Sequence, residues 1–147
     1  NDEKYAKGVK LLKCAAALQY TLPGVPSVYY GDEAGMQGYK DPFNRGCYPW
    51  GKENQELVTF YRTMGEIRRN NKVFCDGYFS PVSSMLGCVA YRRHNENGDI
   101  MIIVNRNEHS ITYRLPDFYS NSKTLYGEKV QNGEVYIDGC SFVILSL

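Results

Sequence analysis

Two acid-bearing clusters lie within one short stretch of this chain, Leu22 to Trp50. The first is Tyr29-Tyr30-Gly31-Asp32-Glu33 and the second is Asp41-Pro42-Phe43-Asn44-Arg45. A carboxylate pair that works on both sides of one bond by double displacement needs its groups about 5–5.5 Å apart and convergent. Neighbours on an extended chain point to opposite sides, so Asp32 and Glu33 are expected to make structural hydrogen bonds instead. Asp41 and Arg45 are spaced so that both can close on one ligand, the carboxylate accepting and the planar guanidinium donating. Vicinal sugar hydroxyls suit that arrangement. The same spacing equally allows an internal salt bridge that shapes the loop. Tyr39, Tyr48 and Trp50 flank the pair, where their rings could stack on a sugar or pack within the loop.

Other chemistries have no footing in the residues. The sequence holds no glycine-rich phosphate loop and no Ser-His-Asp set. Five cysteines occur without a Cys-x-x-Cys, matching neither a zinc site nor a small disulfide framework. Free thiols favour a reducing compartment, and a cytoplasmic location is the expectation. His94 and His109 stand far apart near expected turns and are read as solvated loop residues; no metal and no cofactor is assigned. A net charge of +1 gives no reason to expect nucleic acid or an acidic membrane surface as partner. No apolar run approaches the roughly 18 residues of a spanning helix, and the polar start Asn1-Asp2-Glu3-Lys4 is unlike a signal peptide.

The elements that must position the two clusters follow from periodicity. Asp2 to Tyr20 is expected to be a helix, with Asp2 as cap and Tyr5, Val9, Leu12 and Ala16 on one face. Leu22-Pro23-Gly24 stops it. Val25 to Tyr30 is a short apolar run, expected to be a buried parallel strand that delivers the polar loop at its end. Asn54 to Asn70 is a second helix, with Leu57, Phe60, Tyr61, Met64 and Ile67 as its stripe and Arg68 and Arg69 at its C-terminal end. From Tyr78 the period changes to two. Leu86 to Arg92 and Asp99 to Asn105 flank an Asn97-Gly98 turn; Ile111 to Leu115, Lys123 to Tyr126, Val135 to Ile137 and Ser141 to Leu147 follow, as in an antiparallel sandwich. One parallel strand with two helices is not a domain, because such a strand needs neighbours on both edges. The first part therefore reads as the end of a repeated βα unit attached to a complete β domain. Its apolar faces are expected to pack on the sandwich or on a second copy, with a homo-oligomer or domain swap as the natural outcome.

The stretch also resembles the segment around the last barrel strand of α-amylase family glycoside hydrolases (family 13). The matching residues are Pro23, Gly24, Pro26, Tyr29, Tyr30, Gly31, Asp32, Glu33 and Gly35, then Asp41, Pro42, Arg45 and Trp50. Gly38-Tyr39-Lys40-Asp41-Pro42-Phe43-Asn44-Arg45 and Tyr48-Pro49-Trp50 are similar to the neopullulanase, cyclomaltodextrinase and amylopullulanase branch. The resemblance is sharp over Leu18 to Arg69 and extends to the β half by architecture only. It implies a mainly β chain: a C-terminal antiparallel β-sandwich (73–147) preceded by the last helix, strand, substrate loop and helix of a (β/α)8 barrel (1–72). It implies an α-glucan oligosaccharide as partner of the parent enzyme. The family's nucleophile, acid/base and third carboxylate all precede this region, so no catalytic residue is assigned and the chain alone is expected to be inactive. Asp41 and Arg45 match the family's pair that contacts glucose on the non-reducing side of the cleaved bond, and Tyr39 and Trp50 join them as candidate substrate-binding residues.

The competing reading is a stand-alone carbohydrate-binding sandwich. It would need exposed aromatics on one sandwich face. The sole Trp lies outside the sandwich, and Tyr78, Tyr91, Tyr113, Tyr119, Tyr126 and Tyr136 are scattered, mostly as strand packing.

Overall fold

The computed structural model describes residues 2–147. Helices α1 (Asp2–Thr21), α2 (Gln55–Asn70) and the short α3 (Val73–Asp76) precede seven strands: β1 (Tyr78–Met85), β2 (Cys88–Asn95), β3 (Gly98–Asn105), β4 (Ile111–Arg114), β5 (Lys123–Tyr126), β6 (Glu134–Ile137) and β7 (Ser141–Ser146). The strands form a five-stranded sheet, β1-β2-β3-β7-β5, and a two-stranded ribbon, β4-β6. Every pairing is antiparallel.

The large sheet is covered on both faces, and alternation along its central strands shows how. Ile100, Ile102 and Val104 of β3, with Phe142 and Ile144 of β7 and Tyr91 of β2, meet the helices. The intervening Met101 and Ile103, with Val143, Leu145, Cys88 and Ala90, meet Tyr113, Val135 and Ile137 of the ribbon. A strand apolar at every position is the expected result of burial on both faces. The helix-side core joins residues of α1 and α2 to residues of β2, β3 and β7.

Two local expectations are corrected. Val25 to Tyr30 is not a strand: it belongs to no ladder, and Val25, Tyr29 and Tyr30 are exposed. A strand's backbone groups need a neighbouring ladder, and no described strand lies alongside. The expected face of α1 packs on the core through Ala16, Val9 and Leu12, with Val9, Leu12 and Tyr5 half-buried, and the burial extends to Cys14, Ala17 and Thr21, which lie outside the expected face. Likewise, His94 is not a loop residue; it lies in β2 and its Nε2 shares a hydrogen bond with the Ser80 hydroxyl at 2.8 Å. His109 is exposed.

A charged cluster fixes the 3-10 turn Asp117–Tyr119 to the large sheet. The Tyr119 hydroxyl donates to Asp99 Oδ1 at 2.6 Å, and Arg92 Nε donates to the same oxygen at 3.0 Å. Arg92 Nη2 pairs with Oδ2, and the guanidinium lies 5.0 Å from the Phe118 ring centroid. Burial by itself would raise the Asp99 carboxyl, but hydrogen bonds from Arg92 and Tyr119 and the Arg92 charge hold it below the usual carboxylate range. A depressed carboxylate contributes stability that is present above its unfolded pKa and is lost as pH falls through its folded value. Asp99→Asn should therefore cost about 1.5–3 kcal/mol at pH 7. Urea unfolding of the two proteins should converge as pH drops below the depressed value; an equal gap at pH 7 and in acid would contradict the role of the charge.

Candidate functional site

The polar loop is built as a series of turns between α1 and α2. Leu22 N–H closes the helix on Leu18 O at 2.9 Å, and the stretch that follows is held by side chains, Arg68 donating to Gly24 O and Gln19 Nε2 to Ser27 O. Two overlapping turns follow: Asp32 N–H to Tyr29 O at 3.2 Å, and Ala34 N–H to Gly31 O at 3.1 Å. Gly31 has φ 93°, and a Cβ there would lie 2.3 Å from Met36 Sδ. Both the backbone conformation and the space demand glycine at that position. The far end is clamped by Asn54. Its Oδ1 accepts from Leu57 N–H at 3.2 Å as the N-cap of α2, and its Nδ2 donates to the Tyr5 hydroxyl of α1 at 3.0 Å.

In the first acid pair only Glu33 makes a side-chain hydrogen bond among the described residues. The Glu33 carboxylate accepts from Gly31 N–H at 2.9 Å, folding back on its own turn. Asp32 is half-buried, and burial followed by the Glu33 charge pushes its carboxyl above the usual range. Glu33 is therefore committed to its own backbone.

The second pair is brought together. Arg45 Nε donates to Asp41 Oδ1 at 2.8 Å, and Nη2 lies 2.7 Å from the same oxygen. Turns from Phe43 N–H to Lys40 O and from Arg45 N–H to Pro42 O set the approach. The side chains are 61% and 66% exposed, so the pair faces solvent. Among the described residues, no hydrogen bond engages Asp41 Oδ2 or Arg45 Nη1. The carboxylate keeps a free acceptor and the guanidinium keeps free donors, groups of the kind that sugar hydroxyls bond. Tyr39 is 85% exposed and Trp50 82%. Trp50 rests on Tyr48, with ring centroids 4.6 Å apart. Phe43, 75% exposed between the paired residues, was missed by motif reasoning. Its signal is a large apolar residue in an otherwise polar turn.

A groove of about 590 Å³ runs between α1 and the loop, lined by Tyr5, Val9, Leu12, Met36, Gly38 and Leu57 among others. Tyr5, Val9 and Leu12 of α1 are half-buried along it. All five cysteines are free: Cys14, Cys88 and Cys140 are buried, while Cys47 and Cys75 are exposed. Burial pushes the Cys14 thiol up to about 11, which keeps it protonated and inert. Among the described residues, no group of three or more His, Cys, Asp or Glu could hold a metal, and no helix is long and apolar enough to cross a membrane.

No protein-family profile matches the chain. It is 46% identical over 90 residues to an amylopullulanase of Thermoanaerobacter thermohydrosulfuricus, which covers 61% of this chain and 6% of that protein. It is 34% identical over 113 residues to a maltogenic alpha-amylase of Bacillus acidopullulyticus, covering 73% of this chain and 19% of the relative. In structure it superimposes on the maltogenic amylase from S. marinus with a TM-score of 0.78 at 29% identity, over 93% of this chain and 19% of that one. The chain thus spans less than a fifth of the length of each of these proteins. It is a homologue of α-amylase family (family 13) glycoside hydrolases, matched to part of their length and resembling their C-terminal region.

Proposed function

We propose that this chain forms the C-terminal part of an α-glucan-acting glycoside hydrolase of the retaining type. In it, the Asp41–Arg45 loop holds a glucose unit away from the cleaved bond. The observation that carries this reading is the exposed Asp41–Arg45 ion pair, in a loop whose Tyr39, Phe43 and Trp50 rings are also exposed. Burying sugar C–H faces against such rings while the pair takes the hydroxyls is how protein surfaces bind neutral saccharides. Helices α1 and α2 with the segment between them act as the last elements of the catalytic barrel. The half-buried Tyr5, Val9 and Leu12 side of α1, which lines the groove, is then where further barrel elements pack. The catalytic carboxylates belong to those further elements, so the present chain supplies binding and support and does not cleave glycosidic bonds by itself.

In an enzyme that carries this chain, Asp41→Ala should remove a charge-assisted hydrogen bond to a sugar hydroxyl, about 1.5–3 kcal/mol. A contact equally strong in ground and transition states appears in KM with little change in kcat. The measurement is kcat/KM for a substrate long enough to reach the Asp41 subsite against one too short to do so. The long substrate should lose and the short one should not. Equal losses on both would reduce the pair to a salt bridge that shapes its loop.

A further inference from the structure

The turn that carries Asp41 and Arg45 is closed on itself. Phe43 N–H bonds to Lys40 O at 3.0 Å and Arg45 N–H to Pro42 O at 3.1 Å, while the ion pair spans the two side chains. Its neck is narrow. A Cβ on Gly38 would lie 3.0 Å from the Asn44 Cα, so the chain entering the turn nearly touches the chain leaving it. A unit closed in this way moves as one body, and its direction is set by what grips it where it joins the rest of the loop.

Two contacts grip its exit at Gly46. The Tyr30 hydroxyl donates to Gly46 O at 3.0 Å. Met36 lies between the two turns: a Cβ on Gly31 would meet its Sδ, and one on Gly46 would lie 3.4 Å from its Cε. Tyr30 is itself well anchored. Its ring lies against Tyr29, with centroids 4.9 Å apart, and the turn that follows it is closed by Met36 N–H to Gly31 O at 2.9 Å. Asn54 N–H, at the start of α2, ties that turn down through Ala34 O at 2.9 Å. A line of contacts thus runs from α2 through the Gly31–Met36 turn to the residue next to Arg45. Between Gln37 and Glu53 the backbone hydrogen bonds join near neighbours, so no ladder holds this loop in place among the described residues.

We propose that Tyr30 is a positioning residue for the Asp41–Arg45 pair: its hydroxyl, through Gly46 O, holds the pair in the direction in which it meets its ligand. The inference rests on the pair being a glucose-binding subsite. Tyr30 acts through the turn and takes no part in contacting the sugar. Fixing the turn beforehand lowers the ordering cost that binding would otherwise carry, so losing the hydroxyl weakens binding although no sugar contact is removed. Tyr30→Phe isolates this effect, because it keeps the ring against Tyr29 and removes the donor alone.

The test has two arms. In the chain itself, Tyr30→Phe should speed exchange of the Arg45 Nε–H, followed by nitrogen-15 NMR, by about threefold or more, with the urea midpoint unchanged. In an enzyme that carries this chain, Tyr30→Phe should raise KM about three- to tenfold for a substrate that reaches the Asp41 subsite. It should leave kcat nearly unchanged and spare a substrate too short to reach. Adding Tyr30→Phe to Asp41→Ala should cost less than about twofold more, because the hydroxyl acts through the pair. Unchanged Arg45 exchange, equal losses on both substrates with a lowered urea midpoint, or full additivity of the two variants would each overturn the proposal. A length-dependent loss in Asp41→Ala but not in Tyr30→Phe would overturn the positioning role and leave the sugar subsite standing. Faster Arg45 exchange in Tyr30→Phe, with no length-dependent loss in either variant, would support the positioning contact and overturn the subsite alone.

Discussion

Replacing Arg93 with methionine should lower the stability of this chain by about 3–5 kcal/mol, the loss of two hydrogen bonds from a charged group to buried carbonyls at about 1.5–3 kcal/mol each. Arg93 is 1% exposed at the middle of the molecule and faces no carboxylate. Its guanidinium instead donates to backbone: to Thr21 O at 2.8 Å, Gly77 O at 3.0 Å, and Val73 O and Phe74 O at 3.4 Å. Arg68 joins it, donating to Tyr20 O and Gly24 O at 2.6 Å. Helix α1 has no basic residue in its own last turn, so these two arginines supply the positive charge its C-terminal carbonyls favour. Burial, then the nearby Arg68 charge, pulls the Arg93 guanidinium below its usual range. Methionine fills much of the volume but takes the donor from Thr21 O and Gly77 O, whereas Val73 O still accepts from Gly77 N–H and Phe74 O from Arg68 Nη2. Arg93→Lys should lose most of the same stability, since one ammonium cannot reproduce the planar fork. Equilibrium urea unfolding measures this, with a drop in Tm on the order of 10 °C as the thermal counterpart. A loss below about 1 kcal/mol would mean that water replaces the guanidinium and the latch is dispensable.

Phe60→Ala should cost a similar amount, about 3–5 kcal/mol, and should shift a single cooperative transition. Phe60 projects from α2 into the seam with the sheet and is 4% exposed. Its ring stands edge-on to Tyr126 and Phe142, with centroids at 5.8 and 6.0 Å. Those two rings stack on each other at 4.6 Å with planes 5° apart. Removing Phe60 opens a cavity against a rigid stacked pair that cannot collapse into it, which places the cost at the upper end for aromatic truncations. Phe60→Leu should cost less than half as much. The form of the transition carries as much information as its size. If the helical layer were a separate folding unit, the truncation would split unfolding into two steps, with the β transition unmoved. The shared core predicts one step in far-ultraviolet and near-ultraviolet signals alike.

Much of this architecture was legible in the residues. The change from a 3.6-residue to a two-residue period before Tyr78 marked where helices give way to strands, because each period reflects local backbone geometry. The Asn97-Gly98, Asn132-Gly133 and Asp138-Gly139 pairs marked turns, since few residues accept the conformations that tight connections impose. Asp41 and Arg45, one helical-turn spacing apart, met as the spacing allowed. That near neighbours can meet is a short-range fact, and short-range facts survive in any fold.

What only the tertiary structure decided lies at longer range. Periodicity placed Tyr5, Val9, Leu12 and Ala16 of α1 on one apolar face, and packing added Cys14, Ala17 and Thr21 to its buried side. Val25 to Tyr30 has strand composition but no ladder, since pairing depends on a partner that local sequence cannot supply. Arg68 reads as the C-terminal cation of its own helix, yet it serves the end of α1 instead. Arg93 lies just past the expected strand Leu86 to Arg92, and its burial follows from β2 meeting the end of α1 and the α3 segment at one point. The scattered tyrosines of the β half look alike in sequence, but Tyr91, Tyr113 and Tyr119 fill cores while Tyr136 faces solvent over a groove. Residue type and spacing determined which elements form and which groups could meet; only packing, which sums contacts between distant segments, determined which faces are buried and which remain open to a ligand.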